Sequence, residues 1–294
     1  MMSIEQRLRE TADRITVALD ALLPRSSGPE HRLHSAMRYA ALASGRRVRP
    51  FLCMEAGRLV DGDETTLLRV AVAVECVHTY SLIHDDLPCM DDDDYRRGQP
   101  SVHRQFDEPT ALLAGDALLA FAFDILADPN THPDPQMRCL LVSQLARACG
   151  PSGMAAGQML DMLGAAIGGD DAAIARMNRL KTGALIHFAV EAGAQVGAAS
   201  DETRLALSRF ATDLGLAFQM VDDLTDRENA EDEISGPERV RRPRGKVNFV
   251  TLMGEENTRA RVRVLAAQAQ RHLSIFGPKA KVLRETVAFV LAQG

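Results

Sequence analysis

Six aspartates fall within ten residues of the segment DDLPCMDDDDYRRG: Asp85, Asp86 and the run Asp91 to Asp94, followed directly by Arg96 and Arg97. Like charges at helical spacing repel by about 0.2–0.5 kcal/mol per pair, so water or a cation must separate them. A lone run of this kind reads equally well as a solvated acidic turn. A second cluster changes the weighing: in VDDLTD, Asp222, Asp223 and Asp226 follow the apolar segment LGLAFQMV. Asp222 and Asp226 are four apart and share one helical face, where they can bind one hard cation together; Asp223 is the weaker candidate. Both clusters are expected to end apolar helices. Oxygen-only ligands favour magnesium, manganese or calcium over zinc or copper, and neither cluster has the glycine and glutamate of an EF-hand loop. Magnesium keeps several waters and takes substrate phosphates as ligands, so paired acidic clusters point to a polyphosphate held through metal ions.

A diphosphate also needs direct cations, and arginine matches phosphate with two parallel hydrogen bonds. Three basic sites stand out: Arg46, Arg47 and Arg49 in SGRRVRP, Arg96 and Arg97 after the first acidic run, and Lys181 beside Thr182 in RLKTGALIH. Each alone reads as an exposed charged face; beside two acidic clusters they form a coherent anion site. The run RVRRPRGK, from Arg239 to Lys246, has no interleaved aromatics, and the chain is acidic overall, which argues against a nucleic-acid patch. His78 and His84 precede the first cluster without zinc-type partners. His78 lies on the same face as Asp85, within reach of a phosphate.

The elements that must position these residues read as helices throughout. Aromatics are only 4% of 294 residues while Ala, Leu and Met abound, which favours helix over sheet. The expectation is an all-α chain forming one domain over residues 1–294, with turns at Pro24 to Pro29, Asp61 to Asp63, Gly98 to Pro100, Asp128 to Pro135, Gly150 to Gly153 and Gly168 to Asp171. The one long irregular segment is Arg227 to Arg244, read as a lid or as a disordered loop. A net charge of −6 has the wrong sign for nonspecific binding to nucleic acid or anionic membranes. Five cysteines without metal-ligand spacing suit a reducing cytoplasm, and the charged N-terminus lacks a signal-peptide core. The most apolar stretch, Ala111 to Ala127, contains Asp116 and Asp124, which argues against a membrane span.

The motifs DDLPCMDDDDYRRG, VDDLTD, SGRRVRP, LKTGALI and LGLAFQ, in their order and separations, resemble the trans-isoprenyl diphosphate synthase family, and within it the bacterial farnesyl diphosphate synthases. The resemblance runs from about Arg32 to at least Met253, and GDALLAFAF around Asp116 and GQMLDM around Gln158 also fit. It implies an isoprenoid synthase-type helical bundle around a central apolar cavity, a homodimer, and head-to-tail condensation of isopentenyl diphosphate with dimethylallyl and geranyl diphosphate. Carried over residue by residue, Asp85, Asp86, Asp91, Asp222 and Asp226 would hold three magnesium ions, with manganese able to substitute, against the allylic diphosphate. Arg96, Lys181 and Lys246 would contact the same diphosphate, while Arg46, Arg49, His78 and Arg97 would hold isopentenyl diphosphate. Lys181, Thr182 and Gln219 would act around the reacting carbons. Ionisation of the allylic diphosphate, attack by the isopentenyl alkene, and proton loss to the released diphosphate would complete the reaction.

The resemblance also places product length at Tyr80, five residues and roughly 7 to 8 Å along a helix before Asp85, where an aromatic typifies farnesyl synthases. Ser81 lies more directly beneath Asp85 and is the competing floor residue. Three features depart from the family. Arg46 stands where lysine is usual, SGPERVR replaces a GKxxGxD-like segment so that Gly236 takes the place of a lysine, and the basic C-terminus is missing. Geranylgeranyl or geranyl diphosphate synthesis and a noncatalytic partner subunit of a prenyl synthase remain alternatives. A terpene cyclase is disfavoured by DDLTD as second motif and by the presence of SGRRVRP.

Overall fold

The computed structural model describes residues 2–164, 171–232 and 248–292, the side chains of 226–232 excepted. They gather into two compact units, Met1–Met54 with Gly62–Ser143 and Glu55–Asp61 with Gln144–Gly294. The divisions at Met54 and Ser143 fall inside helices, Val48–Leu59 (α3) and Pro135–Cys149 (α7), and not in a Pro- or Gly-rich linker.

In the first unit, α1 (Ile4–Leu22), α2 (His31–Ala41) and α6 (Glu108–Ala127) pack around α4 (Glu64–Asp85). Every residue from Val70 to Val77 of α4 is buried, so this helix has no polar stripe and forms the unit's centre. Asp63 caps its start by accepting from the Thr66 N–H at 2.8 Å. On α6, Gly115 gives the ring of His84 its place: a Cβ there would lie 2.1 Å from His84 Nε2. By length and composition α4 and α6 could each cross a membrane; 67% of the apolar window of α4 is buried and 44% of that of α6, which leaves Leu112 and Leu113 exposed. Between α4 and the short α5 (Val102–Gln105) lies a hairpin too small to read from sequence, Tyr95–Arg96 (β1) antiparallel to Gln99–Pro100 (β2). Both of its turn residues, Arg97 and Gly98, have positive φ, as a two-residue hairpin turn requires.

The second unit is built on α11 (Asp201–Asp232), against which α10 (Ala184–Val196), α13 (Glu255–His272) and α14 (Lys281–Leu291) pack. Two shorter helices, α8 (Met154–Leu163) and α9 (Asp171–Asn178), lead into a π-helical turn over Arg179–Gly183, and α12 (Phe249–Met253) precedes α13. The sequence reading placed the second acidic cluster at a helix end and an irregular segment from Arg227. Instead α11 runs through the cluster and on to Asp232, the sixth residue of that segment, because no glycine or proline interrupts the chain before Gly236. The rest of the expected lid, residues 233–244, lies outside the described residues, as does the break at 168–170.

Candidate active site

In the first unit the acidic loop curls back under the end of α4. The Asp91 N–H donates to the Asp85 carbonyl at 2.8 Å, and the Asp93 N–H donates to the Asp86 carbonyl at 3.2 Å. Asp86 is buried, at 2% exposure, and takes Arg96 as partner, with Nε 2.9 Å from Oδ1; Arg96 also bridges to Asp93 at 2.8 Å. Burial pushes the Asp86 carboxyl up to about 6 despite that arginine. Arg96 thus bridges two carboxylates.

Next to this loop the cationic side chains converge. Arg49 donates to His78 Nε2 at 3.4 Å, which leaves that ring neutral with its proton on Nδ1. Burial, followed by the charges of Arg49, Arg97, Arg47 and Arg96, holds the His78 pKa well below its usual 6.5. Sequence reading counted Arg47 with the anion-binding residues; the structure makes it a core residue. It pairs with the fully buried Glu75 and donates to the Ala41 and Ala43 carbonyls, each at 2.7 Å, from a backbone with φ of 47°. Arg97 approaches the same Glu75 at 3.6 Å, over Gly45, where a Cβ would meet its guanidinium carbon at 3.0 Å. One buried acid thus serves two arginines, and the positive excess around His78 suits an anion. Arg46 is exposed beside them.

Tyr80 turns its ring edge-on to His84, with centroids 5.7 Å apart, while the Ser81 hydroxyl donates to the His78 carbonyl at 2.9 Å. The two chain-length candidates therefore occupy different faces of α4.

In the second unit, Lys181 and Thr182 sit in the π-turn, a feature that widens a helix locally and often marks a functional site. Two glycines bring main chain onto this turn. A Cβ on Gly157 of α8 would lie 2.1 Å from the Lys181 nitrogen, and one on Gly215 of α11 would lie 3.3 Å from the Gly183 Cα. Close packing sets the side chains in order. The Thr182 hydroxyl donates to Gln219 Oε1 at 2.7 Å, Gln219 Nε2 donates to Asp223 Oδ1 at 3.0 Å, and Asp223 Oδ2 accepts the Phe249 N–H at 3.1 Å. Asp223 is buried at 7% exposure and both its oxygens are engaged, so it orders Gln219 and α12. Lys181 pairs with Asp161 of α8 at 2.6 Å. Asp222 lies half-buried on α11; the side chain of Asp226 and all of Lys246 lie outside the described residues.

Asp85, Asp86 and Asp91 of the first unit, and separately Asp222 of the second, offer only oxygen, which suits a hard cation such as magnesium. Among the described residues no group of three or more His, Cys, Asp or Glu converges closely enough to hold a metal by itself. An ion at either cluster would take further ligands from water and phosphate, as magnesium does. Sequence reading missed Glu75 and Asp161. The first was signalled by a lone acid inside an otherwise apolar helix, the second by its place three residues after Gln158.

The polyprenyl synthetase family model matches residues 30–268. A farnesyl diphosphate synthase from Geobacillus stearothermophilus is 40% identical over 273 residues, 92% of this chain and 92% of that protein. The large subunit 1 of a heterodimeric chloroplast geranylgeranyl pyrophosphate synthase of Arabidopsis thaliana is also 40% identical, over 89% of this chain and 71% of that protein. The crystal structure of an FPP/GFPP synthase from Zymomonas mobilis superposes with a TM-score of 0.87 at 41% identity and covers 98% of each chain. With the acidic and basic motifs in place on an all-helical frame, the chain belongs to the polyprenyl synthetase family.

Proposed function

We propose that this short-chain prenyltransferase condenses isopentenyl diphosphate with dimethylallyl and then geranyl diphosphate to give farnesyl diphosphate. The observation that carries the reading is the pairing, at one end of α4, of an aspartate loop with more arginine charge than Glu75 can balance. A metal-bound diphosphate answers both needs, neutralising carboxylates through cations and arginines through phosphate oxygens.

Asp85, Asp86 and Asp91, with Asp222 and Asp226, are the proposed holders of three magnesium ions, and manganese is the proposed substitute. Bound magnesium would supply Lewis-acid neutralisation of the departing diphosphate. Arg96, Lys181 and Lys246 hold that leaving group. Arg46, Arg49, Arg97 and neutral His78 hold isopentenyl diphosphate, His78 as a hydrogen-bond donor through Nδ1 and not as a charge. Thr182 and Gln219, ordered by Asp223, line the path of the reacting carbons without adding a mobile nucleophile. Exclusion of water then protects the allylic cation until the isopentenyl alkene attacks.

The chain works, in this reading, as a single synthase domain over residues 1–294 and as a homodimer. The apolar face of α6 with exposed Leu112 and Leu113 supports a second copy as its cover, and leaves no need for a membrane span. Five free thiols suit a cytoplasmic location. Relatives that make geranylgeranyl diphosphate at the same identity give a second reading, a longer product. Incubation with isopentenyl diphosphate, magnesium and each allylic diphosphate decides between them by product carbon number. Farnesyl diphosphate is expected from wild type, and Tyr80→Ala is expected to yield longer chains; absence of any prenyl product would defeat the proposal.

A further inference from the structure

The contact of Lys181 with Asp161 has a geometry that a substrate-binding lysine would need and that no motif reading assigns. A lysine ammonium rides on a four-carbon stem with much rotamer freedom and carries three donors. Asp161 takes one of these donors at 2.6 Å and leaves two for another anion. Its carboxylate is itself well enclosed, with a side-chain exposure of 10% against 22% for Lys181. The main chain of α8 lies directly on the Lys181 nitrogen through Gly157, so carboxylate and lysine backbone are fixed in one frame. On the same face, three positions before Asp161, the Gln158 amide nitrogen is buried and has no hydrogen-bond partner among the described residues. The amide adds a further donor on the helix face that carries Asp161.

We propose that Asp161 is a positioning residue for the prenyl transfer: it anchors the Lys181 ammonium so that its remaining donors meet the diphosphate of the allylic substrate. The proposal rests on the reading of Lys181 as a diphosphate contact. Asp161 does not itself touch substrate, since two anions would repel; the order is carboxylate, ammonium, diphosphate.

The test is a double-mutant cycle in the full-length chain with Asp161→Asn, Lys181→Gln and the pair together. Steady-state rates with geranyl and isopentenyl diphosphates are joined by calorimetric binding of inorganic pyrophosphate in the presence of magnesium, and melting curves check folding. D161N is expected to lower kcat/KM for geranyl diphosphate about tenfold to a hundredfold, the cost of misplacing a catalytic contact by about 1 Å. KM for isopentenyl diphosphate should stay within about twofold, and pyrophosphate should bind about tenfold more weakly. The double variant should match K181Q within about twofold, because a residue that acts only through Lys181 has nothing left to act on. Losses that multiply, or a D161N enzyme equal to wild type beside an impaired K181Q, overturn the proposal and leave the role of Lys181 intact. K181Q equal to wild type overturns both. Should D161N not fold, Asp161→Ser takes its place in the same cycle, since it leaves the Gly157 contact untouched.

Discussion

Replacement of Glu75 by glutamine is the sharpest perturbation of the cationic cluster. Glu75 is fully buried, its partner Arg47 is 1% exposed, and Arg97 stands 3.6 Å away. At an effective dielectric of about 20, unit charges at that separation interact by roughly 5 kcal/mol, and the desolvation already spent on burial offsets part of this. Loss of one member of a buried pair leaves the other charge uncompensated, which costs about 3–5 kcal/mol. The Ala41 and Ala43 carbonyls keep Arg47 partly satisfied, so the lower half of that range is expected. In a chain of this size the change corresponds to a melting point lower by roughly 6–16 °C. Circular dichroism at neutral pH reads the shift, and a parallel assay should find a raised KM for isopentenyl diphosphate as Arg97 is released. A melting point within about 2 °C of wild type would refute the buried-charge account of this cluster.

Acid stability offers a second check. The His78 pKa is depressed in the folded state, so below about 6.5 the unfolded chain binds a proton that the folded chain refuses; stability is full above that pH and falls as pH drops, by at most about 1.4 kcal/mol per unit. His78→Gln should flatten the loss between pH 6.5 and 5 in urea midpoints relative to wild type. Gly157→Ala puts a Cβ 2.1 Å from main chain that no rotamer change can relieve, so α8 must shift off the π-turn. A stability loss of about 1–3 kcal/mol is expected, with turnover falling at least tenfold in the prenyl transfer assay.

Much of this architecture could be read from residue types. Five of the expected turns fall in described residues; four of them separate helices there because Gly, Pro or Asp clusters cannot continue a helix, and the fifth, Gly98 to Pro100, belongs to the hairpin. The acidic loop after Asp85 was legible for the same reason. Three features were not. The hairpin at Tyr95 to Pro100 is four paired residues long, too short for alternation to register. The π-turn adds one residue to a helical turn without any compositional mark. Arg47 carries the same charge as Arg46 and Arg49, and only the placement of Glu75 on α4 sends it inward. Spacing located the charged groups; packing decided which of them turn into the core.

The contact of Gly183 with Gly215 has a bearing on how such a protein can change over time. Because backbone touches backbone there, the separation of Thr182 and Gln219 is set by main chain and is insulated from the size of neighbouring apolar side chains. Large and small aliphatic residues can be exchanged around this seam while Thr182 and Gln219 keep their register. The surrounding core can thus diversify with the Thr182–Gln219 contact unchanged, provided those two glycines stay.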